Sequence, residues 1–177
     1  VGKGLALESI GEEAEAAKCF CMAAAADPEN VDAWHNKGAS LVKLGRFEEA
    51  IEACEKAIGL SLNSPAPWDN KGISLDCLGR HDEALRCFDL ALKLDPKRAK
   101  AWNNKGVALY NLGRYREAVE AYGRAIEIEP THEKARQNRD LAIKALSGPA
   151  CPAKALSLKQ VLSHSSCYKR LYTSSLN

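Results

Sequence analysis

Methionine is nearly absent from this chain of 177 residues, Met22 being the one instance, and aromatic residues make up only 6%. Other absences remove whole classes of function. No run approaches the roughly 20 consecutive apolar residues that cross a bilayer, and no charged start followed by an apolar core resembles a signal peptide. The sequence therefore reads as cytoplasmic, with no membrane partner. The seven cysteines contain no C-x-x-C pair. Cys19 and Cys21, two apart on a predicted helix, point in different directions and do not share a metal. With Cys54, Cys77 and Cys87 they read as small apolar packers in a reducing compartment. No glycine-rich phosphate loop is present. His35, His81, His132 and His164 stand beside no serine or cysteine in the spacing of a nucleophile and its base. The expectation is a non-enzyme with no catalytic residue, no cofactor and no metal.

Charge of one sign is also missing. Lys154, Lys159, Lys169 and Arg170 lie in 147–177 with no acid, which leaves 21 basic against 23 acidic residues in 1–146, net −2. Polyphosphate backbones are neutralised by basic surfaces, so a nucleic-acid partner is not expected.

What the chain does contain is one phrase repeated. A-W-N-N-K-G-V-A-L-Y-N-L-G at 101–113 is answered 34 residues earlier at 67–79 and again at 33–45, which puts Trp34, Trp68 and Trp102 at one position. A period of that length marks a helical repeat array. Lys3-Gly4 lies in register with Lys37-Gly38, Lys71-Gly72 and Lys105-Gly106. Residues 1–30 thus read as a unit without its opening, and the chain as a piece of something longer. The complete units are 31–64, 65–98 and 99–132. Each divides at Leu44-Gly45, Leu78-Gly79 or Leu112-Gly113, with Ile10-Gly11 in the first, because glycine past the last apolar residue accepts the left-handed conformation that ends a helix. Second helices begin near Glu49-Ala50, Glu83-Ala84 and Glu117-Ala118 and stop before Asp95-Pro96 and Glu129-Pro130. Gly38, Gly72 and Gly106 face alanines of the partner helix and permit close approach, while Leu41, Leu75 and Leu109 meet Cys54, Phe88 and Tyr122. One pair buries too little apolar surface to fold alone, so neighbours stack.

The spacing W-x-x-x-G-x-x-L ending in L-G, then an aromatic, E-A, a large residue, alanine and Asp/Glu-Pro resembles the tetratricopeptide repeat family over residues 1–132, and W-x-N-K-G with L-G-R-[FY]-x-E-A is similar to the regular arrays of archaeal proteins. Two local departures stand out: Leu62 where proline belongs, and His81 where Phe47 and Tyr115 place an aromatic. The resemblance implies an all-α fold, an α-α superhelix (TPR solenoid) of antiparallel helix pairs. Residues 133–146 half-continue the pattern, with Arg136 at the tryptophan position and Asp140 at the glycine position. They read as a C-terminal capping helix that turns Arg136 and Asp140 to solvent and buries Ile143 and Leu146. From 147 to 177 the register is lost, and the serines and prolines suggest a disordered basic tail.

In this family the first helices line the concave side. By that resemblance the groove holds Asn36, Lys43, Asp69, Asn70, Asp76, Lys100, Asn104, Tyr110 and Asn138 as candidate peptide-binding residues, interleaved with Val42, Ile73 and Val107. Asn36, Asn70, Asn104 and Asn138 recur at the repeat period and have two readings: a ladder that pairs with a peptide backbone, or groups that stabilise their own helix junctions. The function implied is a protein-binding scaffold holding an extended peptide or helix of a partner. Two alternatives remain. A co-chaperone-type carboxylate clamp is matched at Asn70 and Lys100 but not at His35, Ala39 or Asn104. A regulatory or targeting module of a larger enzyme is the other.

Overall fold

The structure is a computed structural model that describes residues 1–147; the expected basic tail falls on 148–177, outside the described residues. Within the described residues the chain is all-α: α1 (Gly2–Ser9), α2 (Glu13–Ala26), α3 (Val31–Lys43), α4 (Phe47–Leu60), α5 (Pro65–Cys77), α6 (His81–Leu94), α7 (Ala99–Asn111), α8 (Tyr115–Ile128) and α9 (Glu133–Ser147). No strand occurs among them, and no described helix is long and apolar enough to cross a membrane. The chain divides into two compact units, Val1–Pro96 with α1 to α6 and a second from Lys97 with α7 to α9.

Each pair is joined by a turn that glycine makes possible. Gly11, Gly45, Gly79 and Gly113 have φ of +82°, +73°, +78° and +74° and are the only described residues at positive φ. In the third pair the Arg80 N–H donates to the Leu75 carbonyl at 2.9 Å and the Gly79 N–H to the Asp76 carbonyl at 3.0 Å, which satisfies carbonyls the helix end leaves open. The second helices begin at Phe47, His81 and Tyr115, two residues before the glutamates, and Arg46, Arg80 and Arg114 immediately precede them. Each of these arginines forks onto a glutamate three residues on, Glu49, Glu83 or Glu117.

Glycine opposite a ring sets how closely two helices approach. A Cβ built on Gly72 would lie 2.6 Å from the Phe88 ring and one on Gly106 would lie 2.5 Å from the Tyr122 ring. In α3–α4 the ring is replaced by Cys54, whose sulfur would stand 2.8 Å from such a Cβ on Gly38. Alanines complete each seam: Ala50, Ala53 and Ala57 on α4, Ala84 and Ala91 on α6, Ala118, Ala121 and Ala125 on α8, all buried.

At the tryptophan position of α3 the indole fastens the helix to the loop before it. Trp34 Nε1 donates to the Pro28 carbonyl at 2.9 Å, six residues back, and Lys37, Lys71 and Lys105 sit 4.7, 5.9 and 5.3 Å over the rings of Trp34, Trp68 and Trp102, within cation–π range. On α9 the guanidinium of Arg136 donates to the Pro130 carbonyl, again six residues back. Arginine here keeps the fastening while dropping the ring.

α9 corrects one expectation from the sequence. Arg136 and Asp140 are exposed, but Ile143 and Leu146 are 44% and 43% exposed, and the buried residues of α9 are Ala135, Asn138 and Ala142. The cause lies in the register. Ile143 corresponds to Leu109, which shares a face of α7 with Gly106, the residue that meets α8. That face is covered by the second helix of the same pair, and α9 has no second helix among the described residues.

Candidate functional site

The recurring asparagines and their charged neighbours lie on the first helices. In the first unit, Asn36 on α3 and Asn70 on α5 are half-buried, and α3 packs on α5 as well as on α4. Neither side-chain amide has a partner among the described residues. The charges around them are engaged. Lys43 Nζ lies 3.4 Å from Glu8 Oε1 and 3.5 Å from Glu13 Oε1, and the Ser40 hydroxyl donates to the same Glu8 oxygen at 3.0 Å. Two acids on α1 and α2 thus hold Lys43, a residue expected from the sequence to contact a peptide. Asp69 and Asp76 are 5% and 4% exposed.

Asp76 belongs to a pair that the repeat pattern disguises. Its Oδ1 lies 2.6 Å from Nδ1 of His81 across the α5–α6 turn. In the second unit the same two positions are Tyr110 and Tyr115, whose ring centroids stand 5.1 Å apart at 60°, and in α3–α4 they are Val42 and Phe47. An acid and an imidazole thus stand where the other pairs carry apolar or aromatic side chains. Taken singly, His81 is a missing aromatic and Asp76 a groove charge; positions 76 and 81 taken together are the signal that joins them.

In the second unit, Lys100 is exposed and Tyr110 half-buried, whereas Asn103, Asn104 and Asn138 are 1%, 3% and 6% exposed. They form a chain of amides: Asn138 Nδ2 donates to Asn103 Oδ1 at 3.1 Å, and Asn103 Nδ2 to Asn104 Oδ1 at 3.4 Å. The one-position recurrence therefore covers two environments, open in the first unit and internal in the second. The apolar residues expected between the polar ones, Val42, Ile73 and Val107, are buried at 0%, 9% and 1% exposure. Each of their helices is flanked both by its own second helix and by another first helix, α3 by α5 and α7 by α9, which covers these apolar side chains.

Reactive groups are not gathered here. Burial pushes the Cys54 thiol up to about 12 and the Cys87 thiol up to about 11, and it raises Cys77 further still, which removes the thiolate that acts as nucleophile or metal ligand. No group of three or more His, Cys, Asp or Glu residues that could hold a metal occurs among the described residues.

The tetratricopeptide repeat family model matches residues 31–63 and 99–132, and a second model described as TPR repeat matches 78–113. No curated protein matches the chain. Among solved structures it is similar to MamA (residue 41 to the end) from Desulfovibrio magneticus RS-1, at 18% identity over 98% of this chain and 93% of that one, with a TM-score of 0.72. The first TPR domain of human RPAP3 aligns at 26% identity over 68% of this chain and 94% of that one, TM-score 0.65. The first TPR of Spaghetti (RPAP3), bound to the HSP90 peptide SRMEEVD, gives 25% identity, 69% and 97% coverage and a TM-score of 0.65. The phrase repeated every 34 residues, the glycine turns at positive φ, the glycine-on-ring seams and these matches have one meaning: the chain is a tetratricopeptide repeat protein, with the all-α solenoid fold of a protein–protein interaction module.

Proposed function

We propose that this chain is a protein-binding scaffold that holds a segment of a partner along the first-helix strip, with Asn36 and Asn70 as backbone-reading contacts. The observation that carries the reading is the pair of unengaged, half-buried amides on adjacent helices of the first unit. An amide offers one acceptor and two donors, the complement of a peptide group. In the second unit, taken by itself, Lys100, Asn104 and Tyr110 on α7 are the candidate contacts. Lys43, Asp69 and Asp76 are buried or paired and shape the strip from behind. Asn138 acts from inside α9. The relative bound to SRMEEVD supports a peptide ligand, and α9, with Arg136 and Asp140 outward, serves as the cap of the second unit.

A carboxylate clamp is the weaker reading, because several cations must converge on one carboxylate, and of its five positions, filled by His35, Ala39, Asn70, Lys100 and Asn104, only Lys100 supplies a lysine or arginine. A peptide-array screen of the full chain, followed by Asn36→Ala and Asn70→Ala, tests the proposal. It expects binding to fall across unrelated peptides while the melting temperature is kept. Binding that ignores both asparagines and collapses on Lys100→Ala sinks it in favour of the clamp.

A further inference from the structure

The amide chain of the second unit has a direction. Asn138 Nδ2 donates to Asn103 Oδ1, which forces the Asn103 nitrogen to the other side, where it donates to Asn104 Oδ1. Asn104 is therefore left with its oxygen turned inward. Its Nδ2 finds no acceptor among the described residues and is not among the buried polar atoms sealed from solvent. Asn36 and Asn70 differ, since neither amide end of either has a partner.

We infer that Asn138 and Asn103 are positioning residues that fix Asn104 as a donor-only amide, so that the second unit recognises an acceptor oxygen of a peptide, a backbone carbonyl or a carboxylate, and not an N–H. The order of donation admits no mixed state. Each amide carries its oxygen and its nitrogen on opposite arms, so fixing which arm Asn103 turns to Asn138 fixes which arm it turns to Asn104. α9, which reaches no ligand through Asn138, thereby sets the polarity of the strip on α7. The ligand part of this inference rests on the peptide-binding reading above; the positioning part does not.

The test is side-chain amide hydrogen exchange by NMR on the full chain, without ligand. In the unaltered protein the Asn103 NH2 signals exchange slowly and those of Asn104 quickly. Asn103→Asp replaces the central amide by a group that only accepts. It keeps the bond from Asn138 and turns Asn104 round, so the Asn104 NH2 signals gain protection, a change that undocking of α9 does not produce. Should Asn103→Asp unfold α9, Asn138→Ser decides the matter. With the α9 backbone amides still protected, the Asn103 NH2 signals lose their protection. Asn104 signals that do not slow in a folded Asn103→Asp protein, or Asn103 signals that stay protected in Asn138→Ser, overturn the proposal.

A peptide taken from the array screen then separates the two readings. Binding about tenfold weaker in Asn103→Asp, the loss of roughly one good hydrogen bond, supports Asn104 as a contact to an acceptor oxygen. Unchanged affinity beside a reversed amide leaves the positioning intact and removes Asn104 from the peptide site.

Discussion

Replacing Gly72 by alanine puts a methyl group 2.6, 2.9 and 2.9 Å from three ring atoms of Phe88, a side chain with no exposed surface. Real carbon contacts are about 3.5–4.0 Å, so ring or helix must move by close to 1 Å. Overpacking of this sort costs about 1–3 kcal/mol, and with three atoms involved the upper half of that range applies. Alanine returns about 1 kcal/mol through helix propensity, so the net destabilisation is about 1–2 kcal/mol. Gly106→Ala faces Tyr122 at 2.5, 2.7 and 2.9 Å and belongs in the same class. Gly38→Ala meets a single atom, the Cys54 sulfur at 2.8 Å, with the next contacts at 3.6 Å. A thiol rotates aside more readily than a packed ring, and the two contributions nearly cancel, for a net change of about 0 kcal/mol. Urea unfolding of the full chain, read at constant m-value, ranks the three. A double-mutant cycle adds the decisive arm: in a Phe88→Cys background the cost of Gly72→Ala falls to that of Gly38→Ala. Equal costs at all three glycines, or a Gly72 cost that Phe88→Cys leaves unchanged, refute the reasoning.

Further expectations concern α9 and the cysteines. Ile143→Ala changes stability by less than about 1 kcal/mol, since the side chain is 44% exposed, whereas Ala142→Leu, at a fully buried site, costs about 1–3 kcal/mol; urea midpoints of both variants check the contrast. Arg136→Ala removes the bond to the Pro130 carbonyl and speeds hydrogen exchange in the first turn of α9, while Arg136→Trp, which restores an N–H at the position where Trp34 holds Pro28, leaves it slow. Cys54 resists iodoacetamide at pH 8 in the folded chain while the half-exposed Cys19 and Cys21 react, as peptide mass spectrometry reads it. The same burial has a linkage consequence: the Cys54 thiol is raised in the folded state from 9.0 to about 12, so its contribution to stability is complete below pH 9 and is lost as pH rises toward 12. A urea midpoint that climbs over that interval in a chain with Cys54, relative to Cys54→Ala, contradicts the assignment.

Local grammar was the part of this fold legible in the sequence. Glycine at positions 11, 45, 79 and 113 announced a left-handed residue, and each adopts one. The small residue facing a ring at 72 and 88 or at 106 and 122 announced a seam. What the repeat could not convey was context at an end and contact between columns. Ile143 and Leu146 inherited the apolar character of Leu109 and Leu112, but burial of that face needs a second helix of the same pair. Lys43 met Glu8 and Glu13, residues 35 and 30 positions away on two other helices, a distance no single-repeat comparison spans. Val42, Ile73 and Val107 stood at groove positions by resemblance, and the packing of first helix on first helix closed over them. The asparagines show the same limit, because one residue type at one position serves open amides at Asn36 and Asn70 and an internal chain at Asn104 and Asn138.

The link between Asp76 and His81 bears on how such a chain can be cut and rejoined. Its two members stand on opposite sides of the α5–α6 turn, as Tyr110 and Tyr115 do across α7–α8. A chimera that joins the first helix of one repeat to the second helix of a neighbouring repeat would set Asp76 against Tyr115, or Tyr110 against His81, and turn a compatible pair into a mismatch. Joints placed in the loops at 61–64 or 95–98 keep each pair whole. The unit that keeps these pairs whole when repeats are exchanged therefore begins at the tryptophan helix and carries its own turn with it, and a recombination point inside that turn breaks them.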